Sequence, residues 1–321
     1  MNPFFSAIMP VYNGERFIAA TLESVREQHH DDIELLVVDD GSTDRTLDIV
    51  RKFAEVIPIR LLTPGRMGSA EVVSNIGLRE ARGQWAGFLH CDDLWLPGRM
   101  ARLWGEMEAT DAALIVHNSV YIGPDGRRLG PFTCPLPEGN VQSEQFIERL
   151  LVQNFIAPVS TVFRRQAALE SGGMDRTIWG CPDWDFYLRM GALGPVRFID
   201  ETLAAYRVHP ESQTVAHARR PDEWEQQLTI VLDRHLGNLS ATGRRRASIE
   251  RVARASVAVN SALLAALRGE PARPLAAILQ LLALGPSGWR RYLRDSKIVQ
   301  RLGSRIKVRR RLKPSVRKEA C

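Results

Sequence analysis

The chain has 321 residues, enough for one large α/β domain with an appendage. Its 45% hydrophobic and 25% charged residues are ordinary for a folded protein and exclude global disorder. The formal charge of +6 gathers toward the end of the chain, from Arg290 onward. Four cysteines, Cys91, Cys134, Cys181 and Cys321, lie far apart without a CxxC pair. Neither a zinc site nor a disulfide framework is expected, which fits a reducing compartment. Met1 to Phe17 has no basic n-region and reaches Asn13-Gly14 early, which predicts no signal peptide. The longest apolar stretch, Pro274 to Pro286, contains Gln280 and is far shorter than the ~20 residues of a membrane span.

In chain order, Ser6 to Val11 reads as a strand opening into a loop at Tyr12-Asn13-Gly14. Phe17 to Gln28 places Phe17, Ile18, Leu22 and Val25 at helical spacing. Ile33 to Val38 is a continuous apolar run, a buried strand, and stops at Asp39-Asp40-Gly41-Ser42-Thr43-Asp44. Thr46 to Ala54 reads as a helix, Ile59 to Leu62 as a strand, and Ser69 to Ala81 as a helix closed by Gly83. Trp85 to Leu89 is a strand that stops at His90-Cys91-Asp92-Asp93. Pro97 opens a further helix, Ala113 to Val120 is a further strand, and the Gly- and Pro-rich stretch Gly123 to Asn140 is expected as a loop over the site. Residues 143 to 215 mix helices and short strands. From about Pro221 the pattern is helical, interrupted at Arg244-Arg245-Arg246 and at Pro271 to Pro274. The alternation of strand and helix predicts a parallel sheet with helices on its faces.

Two apolar strands each end in paired aspartates, Asp39/Asp40 and Asp92/Asp93. In open α/β sheets, ligands bind beyond the carboxyl ends of the strands. Two acidic pairs on that rim repel each other. A divalent cation, Mg²⁺ or Mn²⁺, offsets the repulsion and also binds a diphosphate. Each pair has a plainer reading as well. Asp39/Asp40 suits a turn in which Ser42 or Thr43 caps the next helix, and Asp92/Asp93 suits a cap on the Pro97 helix.

Pro10-Val11-Tyr12-Asn13, Val38-Asp39-Asp40-Gly41-Ser42-Thr43-Asp44 and Phe88-Leu89-His90-Cys91-Asp92-Asp93-Leu94-Trp95 follow one another in this order. With Asn75-Ile76-Gly77, Ala81-Arg82-Gly83, Asp183-Trp184-Asp185 and Tyr206-Arg207-Val208-His209-Pro210, they resemble the family 2 glycosyltransferases of the GT-A fold. The resemblance covers roughly residues 4 to 215. It implies an α/β, Rossmann-like nucleotide-sugar-binding domain, which we set at residues 1–220, followed by a basic helical region at 221–321.

The resemblance also implies roles. Pro10 and Tyr12 line the nucleotide pocket, with the Tyr12 ring packed on the base; an ordinary strand-end aromatic is the plainer reading of Tyr12. Asp40 accepts a hydrogen bond from base or ribose. Asp92 matches the last carboxylate of the family's Asp-x-Asp metal motif, and Asp93 assists or replaces it as ligand. His209 matches a position that contacts metal or diphosphate in some relatives, and packing is its plainer role. Arg207 is a candidate for the diphosphate oxygens. Asp183 matches the catalytic base, or else merely caps the helix Trp184 to Met190. Inverting transfer needs one carboxylate to take the proton of the acceptor hydroxyl. A carboxylate is a weak base near neutral pH unless burial raises its pKa, here beside Trp184.

Three positions depart from the family pattern. His90 stands where the first aspartate of Asp-x-Asp is usual, Pro182 where a glutamate commonly precedes the base, and Ser74 where an arginine is frequent. Asp40, Asp92 and Asp183 remain, so an active enzyme is expected.

In the C-terminal third, Val257 to Leu267 and Leu275 to Leu284 read as a packed helical hairpin joined at Arg268-Gly269-Glu270-Pro271. Beyond it, Arg290, Arg291, Arg294, Lys297, Arg301, Arg305, Lys307, Arg309, Arg310, Arg311 and Lys313 interleave with apolar residues as a basic amphipathic segment. Such a segment suits an anionic membrane surface or a solvated helix face. Nucleic-acid binding is not expected, because no nucleic-acid fold accompanies the charge.

The reading is an inverting glycosyltransferase that uses Mg²⁺ or Mn²⁺ and a UDP-, GDP- or dTDP-sugar. Its acceptor is a glycan or a lipid-linked glycan of surface polysaccharide or glycolipid synthesis. The expected location is the cytoplasm, peripheral on the inner face of the membrane. The alternative is a catalytically degenerate nucleotide-sugar binder or scaffold. A nucleotidyltransferase would show a glycine- and basic-rich phosphate loop near the N-terminus, and Pro10 to Gly14 is not one.

Overall fold

The first apolar run forms strand β1 (Phe5–Val11), buried along its whole length in the computed structural model of the chain. The structure describes residues 3–29, 32–209, 221–268 and 274–303. Side chains alternate along a strand. Phe5, Ala7, Met9 and Val11 therefore join one core, with Ile18, Leu22 and Val25 of α1 (Ile18–Arg26) and Val50 of α2 (Thr46–Phe53). Ile8 points to the other core, with Val73 and Leu78 of α3 (Ala70–Glu80). A strand covered on both faces has to be apolar throughout, which explains the unbroken runs in the sequence.

The strands β2 (Ile33–Asp39), β3 (Ile59–Leu62) and β4 (Trp85–Phe88) align parallel to β1 in the order β3-β2-β1-β4. The sheet then changes character. From β4 it continues through β9 (Thr161–Arg164), β6 (Leu114–Ile122) and β10 (Val196–Arg207) to β5 (Leu94–Trp95). The β4/β9, β9/β6 and β10/β5 pairs are antiparallel, and β6/β10 is parallel. The sheet is mixed where the sequence pattern pointed to a parallel one.

Gly123 to Asn140 is only partly loop. It carries β7 (Arg128–Phe132), antiparallel to β6, and β8 (Gly139–Val141), antiparallel to β10. Gly123-Pro124-Asp125-Gly126 makes the β6–β7 turn, with Gly126 at φ +76°. Pro, Asp and Gly in that order form a turn for stereochemical reasons and allow the chain to pair with itself.

α3 lies so close to β1 that a Cβ on Gly77 would stand 2.4 Å from the Ile8 Cγ2. Ile8 is β-branched and cannot swing aside. Gly77→Ala is expected to destabilise the protein: overpacking costs about 1–3 kcal/mol, against ~1 kcal/mol of helix propensity gained. A urea midpoint that stays or rises would contradict this packing.

The other helices close both faces. α4 (Arg99–Ala109) lies on the α1 side through Met100, Leu103 and Met107. On the α3 side lie α5 (Ser143–Val152), the short α6 (Arg165–Glu170) and α7 (Pro182–Ala192). α8 (Pro221–Gly237) packs on α7, and α9 (Gly243–Arg268) packs on α8 and α5. Arg244-Arg245-Arg246 open α9 rather than interrupt a helix, since arginine is a good helix former. The break falls just before, between Gly237 and Gly243. α10 (Pro274–Leu282) and α11 (Gly285–Ser296) both pack on α9. Pro210, the Gly269-Glu270-Pro271 joint and the basic residues from Arg305 onward lie outside the described residues. No helix among the described residues is long and apolar enough to cross a membrane.

Candidate active site

The carboxyl ends of β1, β2 and β4 point to one rim, because these strands run parallel. The β1 end is stitched to the loop after β2. Asn13 Oδ1 accepts from the Thr43 amide at 2.8 Å, and the Asn13 and Gly14 amides donate to Ser42 Oγ at 2.9 Å and Thr46 Oγ1 at 2.8 Å. The Glu15 amide donates to Asp44 at 3.0 Å. These residues build the rim and leave Tyr12 projecting from it, 45% exposed. Pro10 lies within β1, paired with Val38.

The two aspartates at the β2 end are engaged locally. Asp39 Oδ2 accepts from the Gly41 and Ser42 amides, both at 3.0 Å, which is the turn role. Asp40 accepts from the amides of Met67 and Gly68 and pairs with Arg66, in the loop before α3. The Arg66 guanidinium also lies over the Tyr12 ring, 3.6 Å from its centroid. Tyr12, Asp40 and Arg66 thus form one contiguous unit.

After β4 the chain turns sharply, with the Asp93 amide donating to the His90 carbonyl at 3.2 Å. The turn brings His90, Asp92 and Asp93 together, one donor atom from each lying within 4.8 Å of the others. Among the described residues no other group of three such donors forms. Asp93 is fully buried; its Oδ1 accepts from the Arg207 amide at 2.9 Å, and its Oδ2 has no hydrogen-bond partner. Burial, together with the Asp92 charge, pushes the Asp93 carboxyl well above the usual range.

Arg207 and His209 sit at the end of β10 and brace this turn. The Arg207 Nε donates to the Asp92 carbonyl at 2.7 Å and its Nη1 to the Gly123 carbonyl at 3.0 Å. These bonds tie the β4 turn to the β6–β7 turn. His209 Nε2 lies 2.9 Å from Asp92 Oδ2, and its ring packs on Phe17. His90 is grouped with the two acids, and His209 joins them through Asp92.

Asp183 is in the first turn of α7, half-buried. Its Oδ2 accepts from Asn154 Nδ2 at 2.9 Å. Burial raises its pKa; the Asn154 bond, the Trp184 amide and the charge of nearby His90 oppose the rise without cancelling it. Trp184 itself is directed into the core, donating to the Leu150 carbonyl at 2.8 Å. Two residues on, Asp185 is fully buried and accepts from Arg189 at 2.8 Å, Arg234 at 3.0 Å and His235 at 2.9 Å. It pins α7 to α8. Asp183 and Asp185 of one motif therefore have separate settings, one half-buried beside Asn154 and one in the core.

Sequence reasoning missed Asn154 and Arg66 and weighed His90 only as a departure. Nothing local marks Asn154 or Arg66, since their partners lie 29 and 26 residues away. The other motif residues hold the frame: Asn75 clamps the Met174 main chain, donating at 2.7 Å and accepting at 2.8 Å. Ser74 is buried in α3.

Comparison with known proteins agrees with this architecture. Residues 6–171 match Glycosyl transferase family 2. An uncharacterised glycosyltransferase of Nostoc is 26% identical over 227 residues, covering 68% of this chain and 69% of the relative. The Escherichia coli UDP-Glc:alpha-D-GlcNAc-diphosphoundecaprenol beta-1,3-glucosyltransferase WfaP is 33% identical over 135 residues, covering 42% of this chain and 53% of WfaP. The crystal structure of S. aureus TarS 1-349 with UDP-GlcNAc superposes with a TM-score of 0.68 at 18% identity, covering 96% of this chain and 90% of TarS 1-349. With its GT-A architecture and a match over half its length, the chain is a glycosyltransferase and belongs to glycosyl transferase family 2.

Proposed function

We propose that the enzyme transfers a sugar from a nucleotide-sugar donor to a glycan or lipid-linked hydroxyl, with inversion and with the help of a divalent cation. The observations that carry this are the His90–Asp92–Asp93 cluster, with its buried and unpartnered Asp93 Oδ2, and the half-buried Asp183 carboxylate held by Asn154. In this reading Asp183 takes the proton of the acceptor hydroxyl as it attacks the anomeric carbon. Asn154 orients the carboxylate.

The cluster suits a cation on its own evidence, since the buried Asp93 Oδ2 lacks any partner. Asp92, Asp93 and His90 are the residues we assign to hold it. An imidazole in the set suits Mn²⁺ better than Mg²⁺. The ion, when bound, supplies charge for the departing diphosphate. Arg207 and His209 position Asp92 and Asp93 in this assignment, and neither is needed as a direct ligand of the donor.

Pro10, Tyr12 and Asp40 form the proposed nucleotide pocket. A base stacking on Tyr12 and bonding to Asp40 exchanges with Arg66 there. The UDP-GlcNAc in TarS and the UDP-Glc in the name of WfaP support a UDP-sugar among the three nucleotides considered. The lipid-linked acceptor in WfaP's name supports an acceptor at a membrane, and so a peripheral location on its cytoplasmic face. Residues 1–220 are assigned as the catalytic unit and 221–321 as the surface-facing one.

The test is turnover on a panel of UDP-, GDP- and dTDP-sugars with Mn²⁺, scored by release of nucleoside diphosphate. Release from one donor, abolished by chelation, is expected. Binding of a donor without release on any acceptor would favour the scaffold reading.

A further inference from the structure

We infer that α10 is the edge by which the protein seats itself on an anionic lipid surface, lying flat in it. Leu275, Ile278, Leu279 and Leu282 are 68%, 50%, 56% and 67% exposed. Their spacing of three, four and seven residues puts them on a single stripe. The opposite side of the helix is already used. Ala277 is buried, and Leu281 packs with Val252, Ala255, Leu284 and Tyr292. α10 therefore has two apolar faces, and among the described residues only one is packed. The sequence reads this stretch as half of a packed hairpin; the structure packs it on one side only.

The stripe is continuous, unlike scattered surface leucines that need no explanation. α10 contains no charged residue, and its lone strongly polar one is Gln280. At nine residues it is far too short to span a bilayer, so it suits the interface plane.

Charge identifies the occupant. From Arg290 to Lys318 the sequence holds thirteen Lys and Arg against one acid, Asp295, and of the described ones Arg291 and Arg294 are paired with Glu148 and Asp295. Asp295 is buried and bonded to Arg294 at 2.6 Å, so it offers no negative surface. An apolar stripe followed so closely by positive charge matches acyl chains beneath anionic headgroups. A second copy of this chain is the poorer fit. A copy carries the same net charge of +6 and offers that charge no anionic partner. The inference rests on the peripheral location proposed above and names the element responsible. It does not depend on the catalytic assignments.

The test is flotation of the full chain with vesicles of phosphatidylcholine alone and of phosphatidylcholine mixed with phosphatidylglycerol. Binding to the mixed vesicles is expected. Leu275→Ser/Leu279→Ser is expected to weaken it ~10-fold or more, because two inserted side chains are lost. Donor turnover without vesicles is measured alongside. Its retention shows that the variant folds, and its absence in the parent chain counts against the transferase reading without touching this one. Equal binding by the double variant overturns the inference in favour of the basic segment alone. No binding by the parent overturns it too, as does a parent dimer that the double variant converts to monomer. A second variant, Leu275→Trp, is expected to be quenched by brominated acyl chains beyond the parent's own tryptophans. Quenching equal to the parent's overturns insertion even if the double variant fails to fold.

Discussion

Replacing Asp183 by Asn is expected to lower kcat by about a thousandfold, the middle of the range for losing a general base. Donor affinity should change little, because the proposed donor contacts are Tyr12, Asp40 and the His90–Asp92–Asp93 cluster rather than Asp183. The amide keeps the shape of the side chain beside Asn154, so the loss reads chemistry rather than folding. The pH profile gives a second handle. Burial raises the Asp183 carboxyl and the base must be ionised, so kcat/KM should climb with pH through a limb above the ordinary carboxylate range. Asn154 donates to the ionised form and holds the carboxyl down. Asn154→Ala should therefore move that limb to higher pH and depress the rate below it. A limb that moves to lower pH would contradict the assignment. Steady-state release of nucleoside diphosphate across pH measures both.

Asp185→Ala is expected to destabilise the protein by about 3 kcal/mol, the usual consequence of breaking a buried, hydrogen-bonded charge set. The carboxylate accepts from Arg189, Arg234 and His235 across the α7–α8 contact. Its removal leaves those donors facing a small gap. Burial opposes the charge on Asp185, but the His235 hydrogen bond and the Arg189 contacts outweigh it and bring the carboxyl down to about 2. A depressed carboxyl stabilises the fold above its unfolded value of roughly 4 and loses that contribution as pH falls through about 2. The parent should lose stability across that acid window, and Asp185→Ala should lack this component. Thermal melts across acid pH decide it; a variant as stable as the parent at neutral pH would contradict the role.

The contrast between Asp183 and Asp185 shows what the sequence could convey. β1, β2 and β4 were legible because burial on both faces forces continuous apolar runs, and the half-buried β3 falls at Ile59–Leu62, as its pattern predicts. The rim was legible because each run stops at a polar loop, and the cluster at His90–Asp93 follows from one tight turn. The mixed half of the sheet was not. β7 and β8 are short, and their pairing depends on partners brought in from β6 and β10. The same limit applies to side chains. Asp185 pairs with Arg189 one helical turn away, which spacing can suggest, but His235 is 50 residues distant. Arg207 was singled out by residue type alone, and its bonds to the carbonyls of Asp92 and Gly123 lie 115 and 84 residues away in sequence. The α10 stripe was visible as an apolar helix, but only the packing of Ala277 and Leu281 on α9 shows which face remains outside.

We propose that the cluster after β4 holds a cation through which this chain binds a sugar nucleotide. The most direct measurement is calorimetric titration of UDP-sugars into the protein with and without Mn²⁺, for the parent and for Asp92→Ala. The account predicts binding that requires Mn²⁺ in the parent and disappears in Asp92→Ala, with the fold intact by circular dichroism. Equal binding in the presence and absence of Mn²⁺, retained in Asp92→Ala, would contradict it.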